Sequence, residues 1–238
     1  MSPRFGATPA PDPWNGPLLP PGWRPDREEA RYDHDGPRWV VVDPAGHLRL
    51  DDGTDVALRP FRPGDGALLS AGFARLSPQS RYRRFLSPMP QLTDSMLAFL
   101  TSVDGVNHHA WGALVDEPGA TVGAGVVRWV RTGADPAVAD MAVTVIDDYQ
   151  GRGLGGLLLD VAVLDAFAFG VERFEGLVLG ENISSRRMLA RGGATFRPEG
   201  GGVLAFTLPL RARFDRLRGV SALPALVAAQ NRRARSTT

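Results

Sequence analysis

The sequence predicts a mixed α/β domain, with a mostly antiparallel central sheet flanked by helices. Two observations carry that prediction. Strand-like and helical runs follow one another as strand, two helices, three strands, helix, strand, helix and hairpin. The apolar span Gly153–Val171 also lies between two strand-like runs, Asp140–Ile146 and Arg173–Leu179, which makes a β-α-β unit the centre of the domain. A chain of 238 residues, 43% of them hydrophobic, suits one domain with extensions or two very small domains.

Residues 1–37 are rich in proline and glycine and bury too little apolar surface to offset their ordering entropy, so they read as an irregular arm. Arg38–Val42 and His47–Leu50 read as a short hairpin across Asp43-Pro-Ala-Gly46. Val56–Phe61 alternates as a strand, and the turn Arg62-Pro-Gly-Asp65 places Asp65 as the N-cap of a helix ending near Leu76. Ser77–Phe85 is a short basic helix or turn, and Thr93 caps a helix over Asp94–Ser102.

Strands at Ala110–Val115 and Thr121–Arg131 flank the turn Asp116-Glu-Pro-Gly119. After the β-α-β unit, Ser184–Arg191 reads as a helix stopped by Gly192-Gly193. Ala194–Arg197 and Val203–Leu208 form a last hairpin across 198–202, and the tail Arg211–Thr238 holds one amphipathic helix before a basic end. The divisions are therefore an arm with a short hairpin over 1–50, a folded domain over 51–210, and a helix with a basic tail over 211–238.

Composition narrows the function. A formal net charge of +1 gives no general attraction to nucleic acid or membrane. The absence of cysteine excludes disulfides, thiolate nucleophiles and Cys-based zinc sites. No set of three or four metal ligands converges in the sequence. The first ten residues lack the basic-then-apolar pattern of a signal peptide, and the span Gly153–Val171 carries Asp160 and Asp165, as a buried helix does. The expectation is a cytoplasmic protein with no metal, no nucleic-acid partner and no membrane partner.

The segment Asp147–Asp160, DDYQGRGLGGLLLD, carries the chemistry. Gly151, Gly153 and Gly156 spell G-x-G-x-x-G, but a dinucleotide fold needs its first glycine directly after the strand. Here Asp147–Gln150 intervene, and neither Glu175 nor Glu181 is well placed to bind a ribose. The physics of the loop survives that rejection. Glycines at a helix N-terminus present backbone N–H groups and the positive end of the dipole to an anion, and Arg152 adds charge. Helix–sheet packing alone is the plainer alternative, although glycines at a helix start cost helical stability.

Gln150-Gly-Arg-Gly-Leu-Gly155, after the strand Met141–Ile146, resembles the Q-x-x-G-x-G/A signature of the GNAT N-acetyltransferase superfamily. Glu181-Asn182 and Gly192-Gly193 resemble its following segment. Leu58–Pro63, Leu76–Phe85 and Leu92–Asp94 are similar to the acetyltransferase domain of bacterial Pat-type protein-lysine acetyltransferases. The resemblance covers roughly residues 50–210. It implies a GNAT-like fold and transfer of an acetyl group from acetyl-CoA to an amine, a protein lysine above all. A small-molecule amine acetyltransferase and a non-catalytic acyl-CoA-binding regulator stand as alternatives.

Under the resemblance, Val143, Thr144 and Val145 bond the pantetheine arm through their backbones, and their strand splays from the next to admit the thioester. Gln150, Gly151, Arg152, Gly153, Leu154, Gly155 and Gly156 surround the pyrophosphate. Asn182 faces the pantetheine, with Ser185 and Arg186 near the coenzyme. An ordinary core strand would read the same way over Val143–Val145.

An amine attacks a thioester only when neutral, and a lysine amine has a pKa of about 10.4, so a general base is useful. Asp140 matches the glutamate expected of Pat-type enzymes. It is one methylene shorter, which favours a bridging water; a solvated strand-end aspartate is the plainer reading. His109, of the pair His108-His109, is a second candidate base, against the commoner reading of a surface histidine pair.

Leu189 stands where many members of the superfamily carry a tyrosine acid. Arg81, Arg83 and Arg84 recognise an acidic acceptor surface or form a solvated helix face. Arg232-Arg-Ala-Arg235 lacks interleaved aromatics and reads as a solubilising end. The first 50 residues are too few for the sensor domains fused to some Pat-type proteins. All 27 basic residues are arginine, so the chain cannot acetylate lysines of its own.

Overall fold

Among the described residues, nine strands form one sheet in the order β1-β2-β3-β4-β5-β6-β7-β9-β8. They are β1 (Trp39–Val41), β2 (His47–Leu50), β3 (Asp55–Pro60), β4 (His108–Glu117), β5 (Ala120–Val130), β6 (Val138–Val145), β7 (Arg173–Leu179), β8 (Thr195–Gly200) and β9 (Val203–Pro209). The computed structural model describes residues 39–41, 46–220 and 222–236. The expected arm over 1–37, and the turn of the first hairpin, lie outside the described residues. All adjacent pairs are antiparallel except β6 with β7, the parallel pair of the β-α-β unit.

One face of the sheet carries α1 (Gly66–Ala74), α2 (Pro78–Phe85) and α3 (Asp94–Thr101). The other carries α4 (Leu154–Ala168), which is apolar all round and correspondingly buried on all sides. Its second cover is the C-terminal segment. In place of the single tail helix expected, α6 (Arg211–Val220) and α7 (Leu223–Ser236) both contact α4. Pro224 explains the break, because proline is tolerated in a first turn but not in a helix interior. Phe214, Leu217, Leu223, Leu226 and Val227 are buried, so the segment completes the core.

Two polar groups inside α4 are answered by these helices. Arg213 of α6 donates from Nε to Asp160 at 2.6 Å, and Asn231 of α7 donates to Asp165 at 2.8 Å.

Asp65 occupies the position before α1, but its side chain does not cap that helix. Its carboxylate instead takes both guanidinium nitrogens of Arg59, at 2.6 and 2.7 Å, and the Arg62 N–H at 2.7 Å. A bidentate pair with a guanidinium outweighs a single cap bond to a backbone N–H. Thr93 and Ser77 do cap, accepting from Met96 and Ser80 N–H groups. Gly193 follows α5 (Ile183–Arg191) with φ +98°, the left-handed turn that glycine supplies after a helix end.

Candidate active site

Strands β6 and β7 pair over only three positions, Val138 with Arg173, Ala139 with Phe174 and Asp140 with Glu175. Beyond Asp140 they separate. Since antiparallel pairing to β5 engages alternate backbone groups of β6, the remainder between Met141 and Val145 face the gap. Glycine keeps the far wall close: a Cβ at Gly176 would meet the Phe206 ring at 2.7 Å and the Met141 carbonyl at 3.2 Å.

The gap runs into a groove of about 1850 Å³ that ends at the start of α4. Gly151 and Gly153 take φ +76° and +91°, conformations that favour glycine and turn the chain into the helix. The first N–H groups of α4 have no intrahelical acceptor. A Cβ on Gly151 or Gly156 would meet nothing within 4 Å, so the cradle is open where a diphosphate would approach. Arg83 and Arg187 also line the groove and add positive charge. This donor set fits coenzyme A.

The loop is fixed from outside. Gln150 Nε2 donates to the Val145 carbonyl at 3.0 Å and to Ser80 Oγ at 3.3 Å. Asp147 accepts from Ser77 N–H, Ser77 Oγ and Ser80 Oγ at 2.9–3.0 Å, tying the start of α2 to the glycine turn. Burial opposes ionisation of Asp147, but these bonds hold its carboxyl below the usual range.

Of the residues singled out in the sequence, Asp140, Val143, Thr144, Val145, Gln150, Gly151, Gly153, Gly155, Gly156, Asn182 and Ser185 line this one groove. Leu154 and Arg152 do not. The Leu154 side chain is in the core, and Arg152 lies over the Tyr149 ring, 3.6 Å from Asp52. Asn182 also caps α5 by accepting the Ser185 N–H at 3.2 Å.

Asp140 is exposed to the groove and accepts a 3.3 Å hydrogen bond from Thr132 Oγ1. Its neighbour Glu175 is engaged by Arg173 Nε at 3.0 Å. Asp140 is thus the less committed of the two carboxylates.

His109 does not join them. Register places His109 opposite Trp129 and Trp129 opposite Met141, on the sheet face away from Asp140. Its ring stacks on Trp129 at 4.2 Å, and Nδ1 lies 3.1 Å from Asp165, beneath α4. The expected second base is a buried structural group. Leu189 is buried, so no hydroxyl acid stands there.

One arginine on Asp140's side of the sheet, Arg128, was not among the residues singled out in the sequence. Arg128 of β5 stands opposite Ala142, one step along the gap from Asp140. It is 5% exposed, and burial followed by the Arg84 charge pushes its guanidinium down to about 10. Arg128 Nη1 donates to His108 Nε2 at 2.7 Å. Burial, then the Arg128 charge, holds His108 below its ordinary value, consistent with a neutral acceptor. Burial likewise lowers Arg84. The signal for Arg128 was a charge inside the apolar strand run Val126-Val-Arg-Trp-Val130. Arg81 is structural, donating to the Leu76, Pro90 and Ala74 carbonyls.

A sheet splayed at its parallel pair, with a glycine turn feeding a helix at the end of the gap, defines a GNAT-type acyltransferase fold. The chain belongs to the Acetyltransferase (GNAT) family, which it matches over residues 73–193. It is 36% identical to Acetyltransferase Pat of Mycolicibacterium smegmatis over 62% of this chain and 43% of that protein. The match therefore spans less than half of that relative's length. Identity to Acetyltransferase PA5475 of Pseudomonas aeruginosa is 34%, over 56% of this chain and 69% of that one. The crystal structure of the GNAT domain of S. lividans PAT superposes with a TM-score of 0.63 at 27% identity, covering 71% of this chain and 99% of that one.

Proposed function

We propose that the protein is an acetyl-CoA-dependent N-acetyltransferase whose acceptor is a protein lysine. The observation that carries the reading is the gap between β6 and β7, which begins at Asp140 and opens onto the glycine-rich start of α4. The coenzyme, when bound, supplies the activated thioester. Backbone groups of Val143, Thr144 and Val145 hold the pantetheine arm, and N–H groups from Gly151 to Gly156 hold the diphosphate. Asp140 removes the proton from the attacking amine, through a water because its side chain is short. The pairing of Asp140 with Glu175 places negative charge where a protonated lysine would approach. Similarity to two proteins named as acetyltransferases supports the chemistry, and the need for acetyl-CoA supports a cytoplasmic site of action.

The test is release of free CoA thiol from acetyl-CoA in the presence of lysine peptides or small amines. The chain has no cysteine, so it contributes no thiol background. Release with lysine peptides supports the proposal. Release with small amines alone transfers it to a small-molecule acceptor, and acetyl-CoA binding without release marks a regulator.

A further inference from the structure

A second cavity, of about 70 Å³, adjoins the groove on the face of the sheet that carries Asp140. Its walls are apolar, from Leu69, Phe73, Leu100 and Val126, and Gly112 leaves room on the sheet side. Arg84 and Thr144 line both spaces, so the cavity communicates with the groove there. Arg128 lines the cavity, as does Arg84, which it shares with the groove.

The charge balance of this pocket is unusual. Its third arginine, Arg59, is neutralised by Asp65. Among the described residues, no carboxylate pairs with Arg84 or Arg128. Arg128 Nη2 is buried with no hydrogen-bond partner. The neighbour of Arg128 through Nη1 is His108, which brings no negative charge. Buried guanidiniums are ordinarily paired, because leaving one unpaired costs desolvation energy without a compensating bond. Buried Arg128 and half-buried Arg84, close enough for their charges to act on one another, together favour an anion.

Resting on the acyltransfer reading of the groove, though not on acetyl as the group moved or on a protein lysine as its acceptor, we infer that Arg84 and Arg128 bind a carboxylate carried by the acyl donor or by the amine acceptor. The apolar walls fit a short aliphatic stem, and the cavity is too small for a second large group. Cross-strand neighbours lie about 5 Å apart, so Arg128, opposite Ala142, is within a few atoms of the end of the gap. A carboxylate reaches it either as the far end of a dicarboxylic acyl group or as the acid group of a small amine acceptor. The chemistry at the arginines is the same in both cases: two guanidiniums donating to one carboxylate.

The test begins without the coenzyme. Succinate is titrated against the full chain, followed by thermal denaturation, with chloride at matched ionic strength as control. The parent is expected to gain a saturable rise in melting midpoint, and Arg128→Met and Arg84→Met to lose it. The Arg84→Met variant guards against a folding defect in Arg128→Met. Equal shifts in the parent and both variants, or none in the parent, overturn the inference.

Two further arms identify the source. Succinyl-CoA binding at least about tenfold tighter than acetyl-CoA, a preference lost in Arg128→Met, assigns the carboxylate to the acyl group. A kcat/KM preference for an amino acid over its carboxamide, lost in the same variant, assigns it to the acceptor. Failure of every acyl-CoA to bind sinks the groove reading, whereas the succinate titration judges the arginine site by itself.

Discussion

Asp140 and Glu175 are the last register pair between β6 and β7, so the strands part at a point flanked by two carboxylates. Arg173 occupies Glu175, while Asp140 remains exposed to the groove. This asymmetry is the ground for the proton-accepting role proposed for Asp140. Glu175→Gln is expected to lower turnover less than Asp140→Asn, and steady-state rates of the two variants at saturating acetyl-CoA check the order.

The same geometry gives His109 a different duty. Asp165 is fully buried and accepts from Trp129 Nε1 at 2.7 Å and Asn231 Nδ2 at 2.8 Å, with His109 Nδ1 at 3.1 Å. The cluster joins β4, β5, α4 and α7. Asp165→Ala leaves those partners unanswered and is expected to cost about 3–5 kcal/mol, read from chemical denaturation. His109→Gln should move the denaturation midpoint and leave the pH profile of turnover where it was, a result a catalytic base could not give.

Stability is expected to fall on the acid side. The carboxyls of Asp65, Asp104 and Asp147 are each held below their ordinary range, burial opposing and hydrogen bonds prevailing. Arg59 and the Arg62 N–H act at Asp65. At Asp104 the N–H groups of Val106, His108 and Asn107 do so, each at 2.8 Å. A carboxyl with a depressed folded pKa contributes stability above its unfolded value of about 3.9 and loses it as pH falls through the folded value. Denaturation midpoints should therefore be level from neutrality to about pH 5 and drop steeply below about pH 4. Asp147→Asn should flatten part of that drop.

The glycine cradle can be tested without strain. Gly156 has ordinary helical geometry and open space at its Cβ position. Gly156→Glu places an acid in the first turn, where the dipole favours it by about 0.3–1 kcal/mol. Folding stability is thus expected to hold or rise. Acetyl-CoA affinity, measured by calorimetry, should weaken by about tenfold or more as the new charge meets the diphosphate.

Much of this was legible in the sequence because it depends on local chemistry. Period-two alternation and turn residues located the strands, and the four residues Asp147–Gln150 ahead of Gly151 directed the glycines away from a dinucleotide. Other features depend on register. His109 and Asp140 sit on opposite faces only because of strand pairing. Arg84 comes near Arg128 only because α2 packs on β6, the neighbour of β5. Pro224 was a readable break in the tail, but that both tail helices cover α4 follows from the exposed apolar side of a helix that needs two covers. Asp65 looked like a cap until Arg59, six positions away, reached it.

The most direct test of the proposed chemistry is the rate of CoA thiol release by the parent and by Asp140→Asn at saturating acetyl-CoA and a lysine peptide, with the acetyl-CoA dissociation constant measured for both. The account predicts equal affinities and a turnover lower in the variant by about 10²–10⁴-fold. Equal turnover in the two proteins, or acetyl-CoA bound by the parent with no thiol released, would contradict it.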